Sequence, residues 1–498
     1  MSSTTLPDVA KMEYTALTDF QKSMHFGNYE DEEVKSLYSY SFVKSSWTTP
    51  FTEQITRGNS NPDSGVVEYI LNDAFDYIKN VQMTVTSPEV RVLPEYTDTV
   101  QVCLCHNFTH NVVKDAKLYS DGDIIQNSGT IFLDYKAETD MRVGQGMRKL
   151  SKKLVGDRKY YGIWNTVLPS FKLGTPLKFY HSGHISKAMP LFLKDTQSKF
   201  VYNFTFETNV SELVRMRIRG MKEKDGEIEY GEWKYIKYNP DYVGINTKER
   251  IEIPIIWGRY SCIGEREKEW RKTFVHEYYT EDMILIPSDS EVKYGHPCTI
   301  QIQSVSPAEK MLVIAKNMDS EKINNHSNYS TNTNDINTGW NPVENISMMY
   351  GTSTRINQMD SIHFDSFEHY YGSKSAPEDP GWNIFHMSDR PFKIHPDVGV
   401  SFYKNNPKIV AFINDTNPFN KISNTTKRKN ADPNVKLVPK ELLDGHDKSI
   451  RYSPNFKVYV ILIITRKIIF EHNKKVVIKR DNQDIINKIE QHYMDSSS

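Results

Sequence analysis

The sequence predicts an all-β protein with two β domains in series, and three observations carry that prediction. The apolar runs are short and β-branched, many alternate with polar residues, and aromatics make up 12% of the chain, with 29 Tyr and 23 Phe. Such a composition suits half-buried strands better than helices. The runs are separated by clusters of Asn, Asp, Gly and Pro, the residues that turns demand. At 498 residues the chain is too long for a single core, and the procession of strands starts twice.

Residues 1 to about 40 are polar and partly acidic, with the run Glu30-Asp-Glu-Glu33, and read as an arm or a short helix. Strand candidates follow. Val81-Gln-Met-Thr-Val85 alternates and ends at Ser87-Pro88; Val100, Val102 and Leu104 alternate with Gln101, Cys103 and Cys105. Ile131-Phe-Leu133, after the turn Asn127-Ser-Gly129, reads as a further strand. Tyr202, Phe204 and Phe206 point to one face while Asn203, Thr205 and Glu207 point to the other, the pattern of an antiparallel sheet with one face on a core. One segment departs from this habit. Asp140 to Tyr160 carries Arg142, Arg148, Lys149, Lys152, Lys153, Arg158 and Lys159, with Met147, Leu150 and Leu154 at helical spacing. It reads as an exposed basic helix or loop, and contact with an acidic neighbour in an assembly is the sharper alternative.

The second cycle runs from Val214-Arg-Met-Arg-Ile218 to Val476-Val-Ile478. Within it, Ile251-Glu-Ile-Pro-Ile-Ile-Trp257 and Met283-Ile-Leu-Ile286 flank the charged stretch Tyr260 to Tyr279, which reads as strand, short amphipathic helix, strand. An Asn/Ser/Thr-rich stretch, about 317 to 347, cannot build a core of its own and is expected as a functional surface loop or a mobile one. A further turn-rich region, Asn414 to Lys436, carries Lys427-Arg428-Lys429.

Bulk properties exclude several classes. Lys+Arg of 62 against Asp+Glu of 63 gives nothing that argues for a nucleic-acid binder. Four cysteines do not make a disulfide framework in a chain this long, so a reducing compartment is expected. The start, MSSTTLPDVAKMEY, has no basic-then-apolar signal segment, and the most apolar run, Val458-Tyr-Val-Ile-Leu-Ile-Ile464, is too short to span a bilayer and stops at Arg466 and Lys467. A soluble protein that is not exported is expected. The eight Asn-x-Ser/Thr sequons, at Asn107, Asn203, Asn209, Asn325, Asn328, Asn345, Asn414 and Asn424, then read mostly as chance matches in an Asn-rich chain.

Chemistry is scarce. Cys103-x-Cys105-His106 with His110 is the best metal candidate, yet on a strand His106 points away from the two cysteines and no second pair stands at zinc-finger spacing. His276-Glu277 begins an HExxH motif, but position 280 is Thr. His181-Ser-Gly-His184 falls in a predicted turn, where histidine is solvated. No Gly-x-Ser-x-Gly elbow and no phosphate-cradling glycine loop is present. The expectation is therefore no catalytic residue, no cofactor-binding residue, no metal ligand and no cofactor.

The charged stretch nonetheless resembles a motif. Tyr260, Ile263, Glu265, Arg266, Phe274, His276, Glu277 and Tyr278 are similar to the strand, Glu-Arg helix and His-Glu-Tyr segment in the second barrel of the double jelly-roll major capsid proteins of nucleocytoplasmic large double-stranded DNA viruses. Asp73 to Ile78 leading into Val81 to Val90 resembles the family's early strand, with Ser87 where the family has Leu. His110 to Ile125 resembles its Gly-His-Asn-Leu-Ile strand and following hairpin. Thr175-Pro-Leu-Lys-Phe-Tyr180 and Ala188-Met-Pro-Leu-Phe-Leu193 resemble the segment closing the first barrel. Pro307 to Ile314 and Val458 to Ile478 resemble strands of the second. The matches come in family order over roughly residues 45 to 480. A Gly-Gly-rich N-terminus is absent and the Pro-Ser-Gly signature is degraded around Asn414 to Ser423, as in a divergent member.

The resemblance implies two tandem eight-stranded antiparallel jelly rolls with short helices and long surface loops: an arm over 1–40, a first barrel over 41–212, a second over 213–483 with the loop at about 317–347, and a tail over 484–498. It implies a major capsid protein, not an enzyme, forming pseudo-hexagonal homotrimers that tile an icosahedral shell. Partners would be other copies, neighbouring capsomers, minor capsid and penton proteins, with no direct nucleic acid and no transmembrane segment. The site of action would be the virion, after assembly in the host cytoplasm. The long Asn/Ser loop would suit an outward-facing tower. The alternatives are a viral scaffold of the same fold, a glycan-processing enzyme with an acidic cleft between barrels, or a carbohydrate-binding attachment protein using Trp340, Tyr350, Tyr370, Tyr371 and Trp382 as a platform.

Overall fold

The computed structural model describes residues 51–61, 64–139, 145–182, 187–195, 198–224, 227–244, 248–293, 295–302, 308–350, 353–373, 376–387, 407–413 and 455–480. The 1–40 arm, the Asn414 to Lys436 region and the 484–498 tail lie outside the described residues. Two β sandwiches follow one another along the chain, each built on antiparallel sheets.

In the first sandwich, one sheet runs Phe51–Gln54, Ile255–Ser261, Tyr77–Thr86, Lys172–Leu177 in spatial order, with Met189–Pro190 added to Tyr77–Thr86. The facing sheet runs Thr56–Asn61, Val66–Ile70, Phe200–Phe206, Val113–Ser120, Asp123–Gly129. A third, three-stranded sheet of Lys234–Ile236, Val214–Ile218 and Val100–Leu104 joins the same core. Alternation fixes the register. Tyr202, Phe204 and Phe206 are buried between the sheets while Asn203 and Thr205 are half-buried, and a one-residue slip would turn all three rings outward. The hairpin Val113–Ser120/Asp123–Gly129 turns at Asp121-Gly122, both at positive φ (50° and 87°), the backbone that a tight two-residue hairpin requires and that Gly and Asp tolerate.

In the second sandwich, one sheet runs His276–Pro287, Asn455–Phe470, Ala308–Asn317, Asn383–His386, with Val292–Lys293 and Val477–Arg480 also paired to Asn455–Phe470. The facing sheet runs Pro297–Gln301, Lys408–Ile413, Val343–Tyr350, Ser353–Asp360. Its core is Met311, Val313, Ile346, Ile409, Val458, Val460, Leu462 and their neighbours. In chain order, the expected short helix, Glu265–Arg271, follows the strand Ile255–Ser261 and precedes His276–Pro287.

Two local expectations are corrected. Ile131-Phe-Leu133 is not a strand: the helix Thr130–Thr139 begins immediately after the hairpin. Leu133 enters the first core, while Phe132 and Tyr135 pack on the opposite side against the second sandwich. A segment covered on both sides reads as a continuous apolar run and shows no helical stripe. The basic helix is present as Gln145–Val155, but it is not uniformly solvated on its charged side. Lys152 is buried, whereas Leu150 and Leu154 are exposed.

Candidate functional site

The sequence-derived chemical candidates do not converge. Cys103 and Cys105 are buried in the first sandwich, and burial pushes the Cys103 thiol up to about 11 and the Cys105 thiol higher still, so neither is a ready metal ligand. His106 and His110 turn to different carboxylates, Asp379 and Asp134. Among the described residues no group of three or more His, Cys, Asp or Glu is arranged to hold a metal ion. His276 is buried, and its Nε2 lies 2.9 Å from the Arg271 carbonyl oxygen. His181 is not a solvated turn residue: it is buried against Tyr202, whose hydroxyl lies 2.7 Å from Nε2, and burial lowers its pKa to about 4. Trp382 lies in an interior cluster, so the expected five-residue aromatic platform does not form, although Tyr370 and Tyr371 are exposed.

What the structure does build is a filled seam between the two sandwiches. Its apolar part is Phe132 and Tyr135 from the helix Thr130–Thr139, packed on Leu312, Ile314, Ile461 and Ile463, with Tyr329, Trp382 and Ile384 completing the cluster. The run Met311-Leu-Val-Ile-Ala315 is buried throughout for this reason. Met311, Val313 and Ala315 face the second core, and Leu312 and Ile314 face the seam. Val458 to Ile464 obeys the same rule, which explains its continuous apolar run: alternate residues face the second core and the seam.

One strand ties the two cores together. Asn455–Phe470 is 16 residues long, about 50 Å of extended chain. Phe456, Val458, Val460, Leu462 and Ile464 serve the second core, and Ile468 and Phe470 serve the first. It pairs without interruption to His276–Pro287, where Tyr278 joins the first core and Ile284 and Ile286 pack against the second. Arg466 and Lys467 mark the crossing between cores, paired to Asp282 (2.5 Å) and Glu277 (2.8 Å).

The polar part of the seam is extensive and buried. Asp379 accepts from both terminal nitrogens of Arg158 (2.7 and 3.0 Å) and lies 3.2 Å from His106 Nε2. Burial alone would raise its carboxyl, but His106 and Arg158 outweigh burial and hold it well below the usual carboxylate range. Asp134 accepts from Asn107 (3.1 Å) and Tyr329 (3.2 Å) and sits 2.7 Å from His110 Nδ1; there too burial is outweighed and the carboxyl is held low. Lys136 pairs with Glu281, which also takes Lys310 at 3.3 Å. Lys152 lies 2.6 Å from Glu378 and 3.5 Å from Asp157, so the basic helix does meet acidic residues, within its own chain.

The Asn/Ser stretch supplies the rest, and here the expectation of an outward-facing tower is overturned. Asn324, Asn325, Ser327, Asn328 and Ser330 are all buried. Asn324 Nδ2 donates to the carbonyls of Ser211 (2.5 Å) and Val214 (2.7 Å), Asn111 donates to Ser327 Oγ (3.0 Å), and Asn325 donates to the Thr333 carbonyl (2.8 Å). Irregular backbone can be buried only if its polar groups find partners, and short Asn and Ser side chains provide them locally. The composition that resembled a solvated loop is a polar mortar.

Two curated relatives are similar in sequence. The major capsid protein of Costelytra zealandica iridescent virus is 20% identical over 386 residues, covering 72% of this chain and 79% of that protein. The major capsid protein of Lymphocystis disease virus 1 (isolate Darai) is 18% identical over 380 residues, covering 69% and 74%. Among solved structures, the PBCV-1 virus capsid aligns with a TM-score of 0.59 at 12% identity, covering 87% of this chain and 97% of that one. The chain shares that capsid protein's fold, a double jelly roll. No protein-family model matches it. Both sequence relatives are named as major capsid proteins. A filled seam and a strand shared by both cores are the features that make two jelly rolls one stiff block.

Proposed function

We propose that this chain is a major capsid protein that self-assembles as homotrimers of pseudo-hexagonal outline and tiles an icosahedral virus shell. The carrying observation is the seam, in which two jelly rolls are joined by a buried apolar cluster, buried ion pairs and one uninterrupted strand pair. A trimer of such blocks presents six barrels, and rigid barrels keep the near-hexagonal outline that tiling needs. We place the division between barrels at the helix Glu265–Arg271. The strands Val214–Ile218 and Ile255–Ser261 hydrogen-bond to strands of the first sandwich, which supports a first barrel reaching beyond residue 212. Copies of this chain are its principal partners. Minor capsid and penton proteins are the further partners we propose, and assembly in the host cytoplasm precedes residence in the virion. No described helix is long and apolar enough to cross a membrane.

Light scattering on the purified protein, with particle images of the same fraction, tests this reading. The expected mass is about 173 kDa, three chains of 57.8 kDa each, with hexagonal outlines. A well-folded monomer at micromolar concentration, with no ordered particles, would remove the building-block assignment.

A further inference from the structure

The outer face of the three-stranded sheet carries an ordered row of arginines that shell building does not explain. Val214 and Met216 turn into the first core, so Arg215, Arg217 and Arg219 share the opposite side. Each guanidinium is interleaved with aromatic rings. Arg215 lies 5.7 Å from the Tyr235 ring and 5.2 Å from Trp164; Arg217 lies 4.7 Å from Trp164 and 4.5 Å from Trp233; Arg219 lies 4.6 Å from Trp233 and 3.9 Å from Tyr230. The stacks hold three like charges side by side, and no described carboxylate pairs with any of them. Their polar contacts are neutral: Arg215 donates to the Asn334 carbonyl (2.8 Å), Arg217 to Gln101 Oε1 (2.6 and 3.0 Å) and Arg219 to the Asp98 carbonyl (2.8 Å). Arg215 is buried, while Arg217, Arg219 and Trp233 are half-exposed and Tyr230 is exposed.

We infer that this Arg–aromatic ladder is the docking site for an extended acidic segment, and that its occupant is the chain's own acidic run Glu30-Asp-Glu-Glu33. Trp164 and Trp233 each carry two guanidiniums within 5.2 Å of the ring centroid, which leaves little ring face for bases or sugars. What remains presentable is the part of the Arg217 and Arg219 guanidiniums that Gln101 and the Asp98 carbonyl do not engage, N–H donors that match a carboxylate. Alternate residues of a strand stand about 6.7 Å apart, and so do alternate side chains of an extended peptide. Glu30 with Glu32, or Asp31 with Glu33, therefore matches Arg217 with Arg219 in spacing as well as in charge. Reach is sufficient: the residues from Glu33 to Phe51 span up to about 60 Å when extended, against a diameter of about 40 Å for a barrel of this size. The inference is independent of the shell-building assignment.

The test uses the full-length chain with its own run neutralised (E30Q, D31N, E32Q, E33Q) and a fluorescent peptide of residues 26–38, followed by anisotropy at low salt. The expected result is saturable binding that weakens about tenfold in R217Q or R219Q, the loss of one charge-assisted contact, and that fades by about 0.3 M salt. R217K, which keeps charge and loses the fork, falls between. A peptide with all four acids replaced by their amides is expected not to bind, and this comparison decides the matter even if an arginine variant melts early. Equal binding of the amide peptide would overturn the inference. Tighter binding of a single-stranded oligonucleotide or a sulfated glycan, abolished by the same variants, would also overturn it and assign the ladder to another polyanion.

Discussion

Replacing Asp379 by Leu tests the seam most directly, because one carboxylate there contacts two groups from the other sandwich, Arg158 and His106. Its side chain is 7% exposed, that of Arg158 is 10% exposed and that of His106 is 1% exposed. In D379L the Arg158 guanidinium keeps its contacts to Asn337 Oδ1 (3.0 and 3.2 Å) and lies 3.1 Å from His106 Nε2, but it loses its paired carboxylate in a site with little water. Removing one partner of a buried ion pair costs about 3–5 kcal/mol, because the other charge is left uncompensated. Removing both is far milder, so R158M/D379L should be more stable than D379L alone. Urea unfolding of the wild type, both single variants and the double variant gives the coupling, expected at about 2 kcal/mol. Hydrogen exchange should show the loss as faster opening at residues 106–112 and 324–333, with the sheets of each sandwich less affected. A coupling below about 0.5 kcal/mol, or a D379L cost below about 1 kcal/mol, would refute the claim that this pair holds the barrels together.

Three further outcomes follow from the buried polar groups. His181 is buried and neutral with its pKa lowered to about 4 from an ordinary value near 6.5, so the unfolded chain binds the proton first. Its contribution is intact above pH 6.5 and is lost as pH falls towards 4, by about 3 kcal/mol; urea midpoints at pH 7 and 4.5 should differ less in H181Q than in the wild type. Asn324→Ala leaves the carbonyls of Ser211 and Val214 without their donor and is expected to cost about 2–4 kcal/mol in urea unfolding, whereas a solvated loop residue would cost nothing measurable. Cys262 is the only cysteine not fully buried; thiol labelling of the native protein should modify it first and reach Cys103 and Cys105 only on unfolding. Prompt labelling of Cys105 would contradict the packing described.

Much of the sheet architecture was written in the chain itself. The alternation of Tyr202, Phe204 and Phe206 and of Val100, Val102 and Leu104 needs only a core on one side, so a period of two reports it without knowledge of the partner. The Glu265–Arg271 helix was legible because its charges and Trp270 follow local helical spacing between two apolar strands. The segments misread were those whose environment is set by distant residues. Ile131 to Leu133 is helix because the second sandwich covers the side that the first leaves bare. The Asn/Ser stretch is interior because its partners, Ser211, Val214 and Asn111, lie more than a hundred residues away. His106 and Asp379 are 273 positions apart and meet only when both barrels have formed.

Strand periodicity alone therefore gave an all-β chain and, for strands such as Phe200–Phe206, which face is dry. The fusion of the sandwiches emerges from contacts between distant residues, because a polar side chain looks the same in sequence whether water or a buried partner satisfies it. That satisfaction is a long-range fact, and the stiffness of the block rests on it.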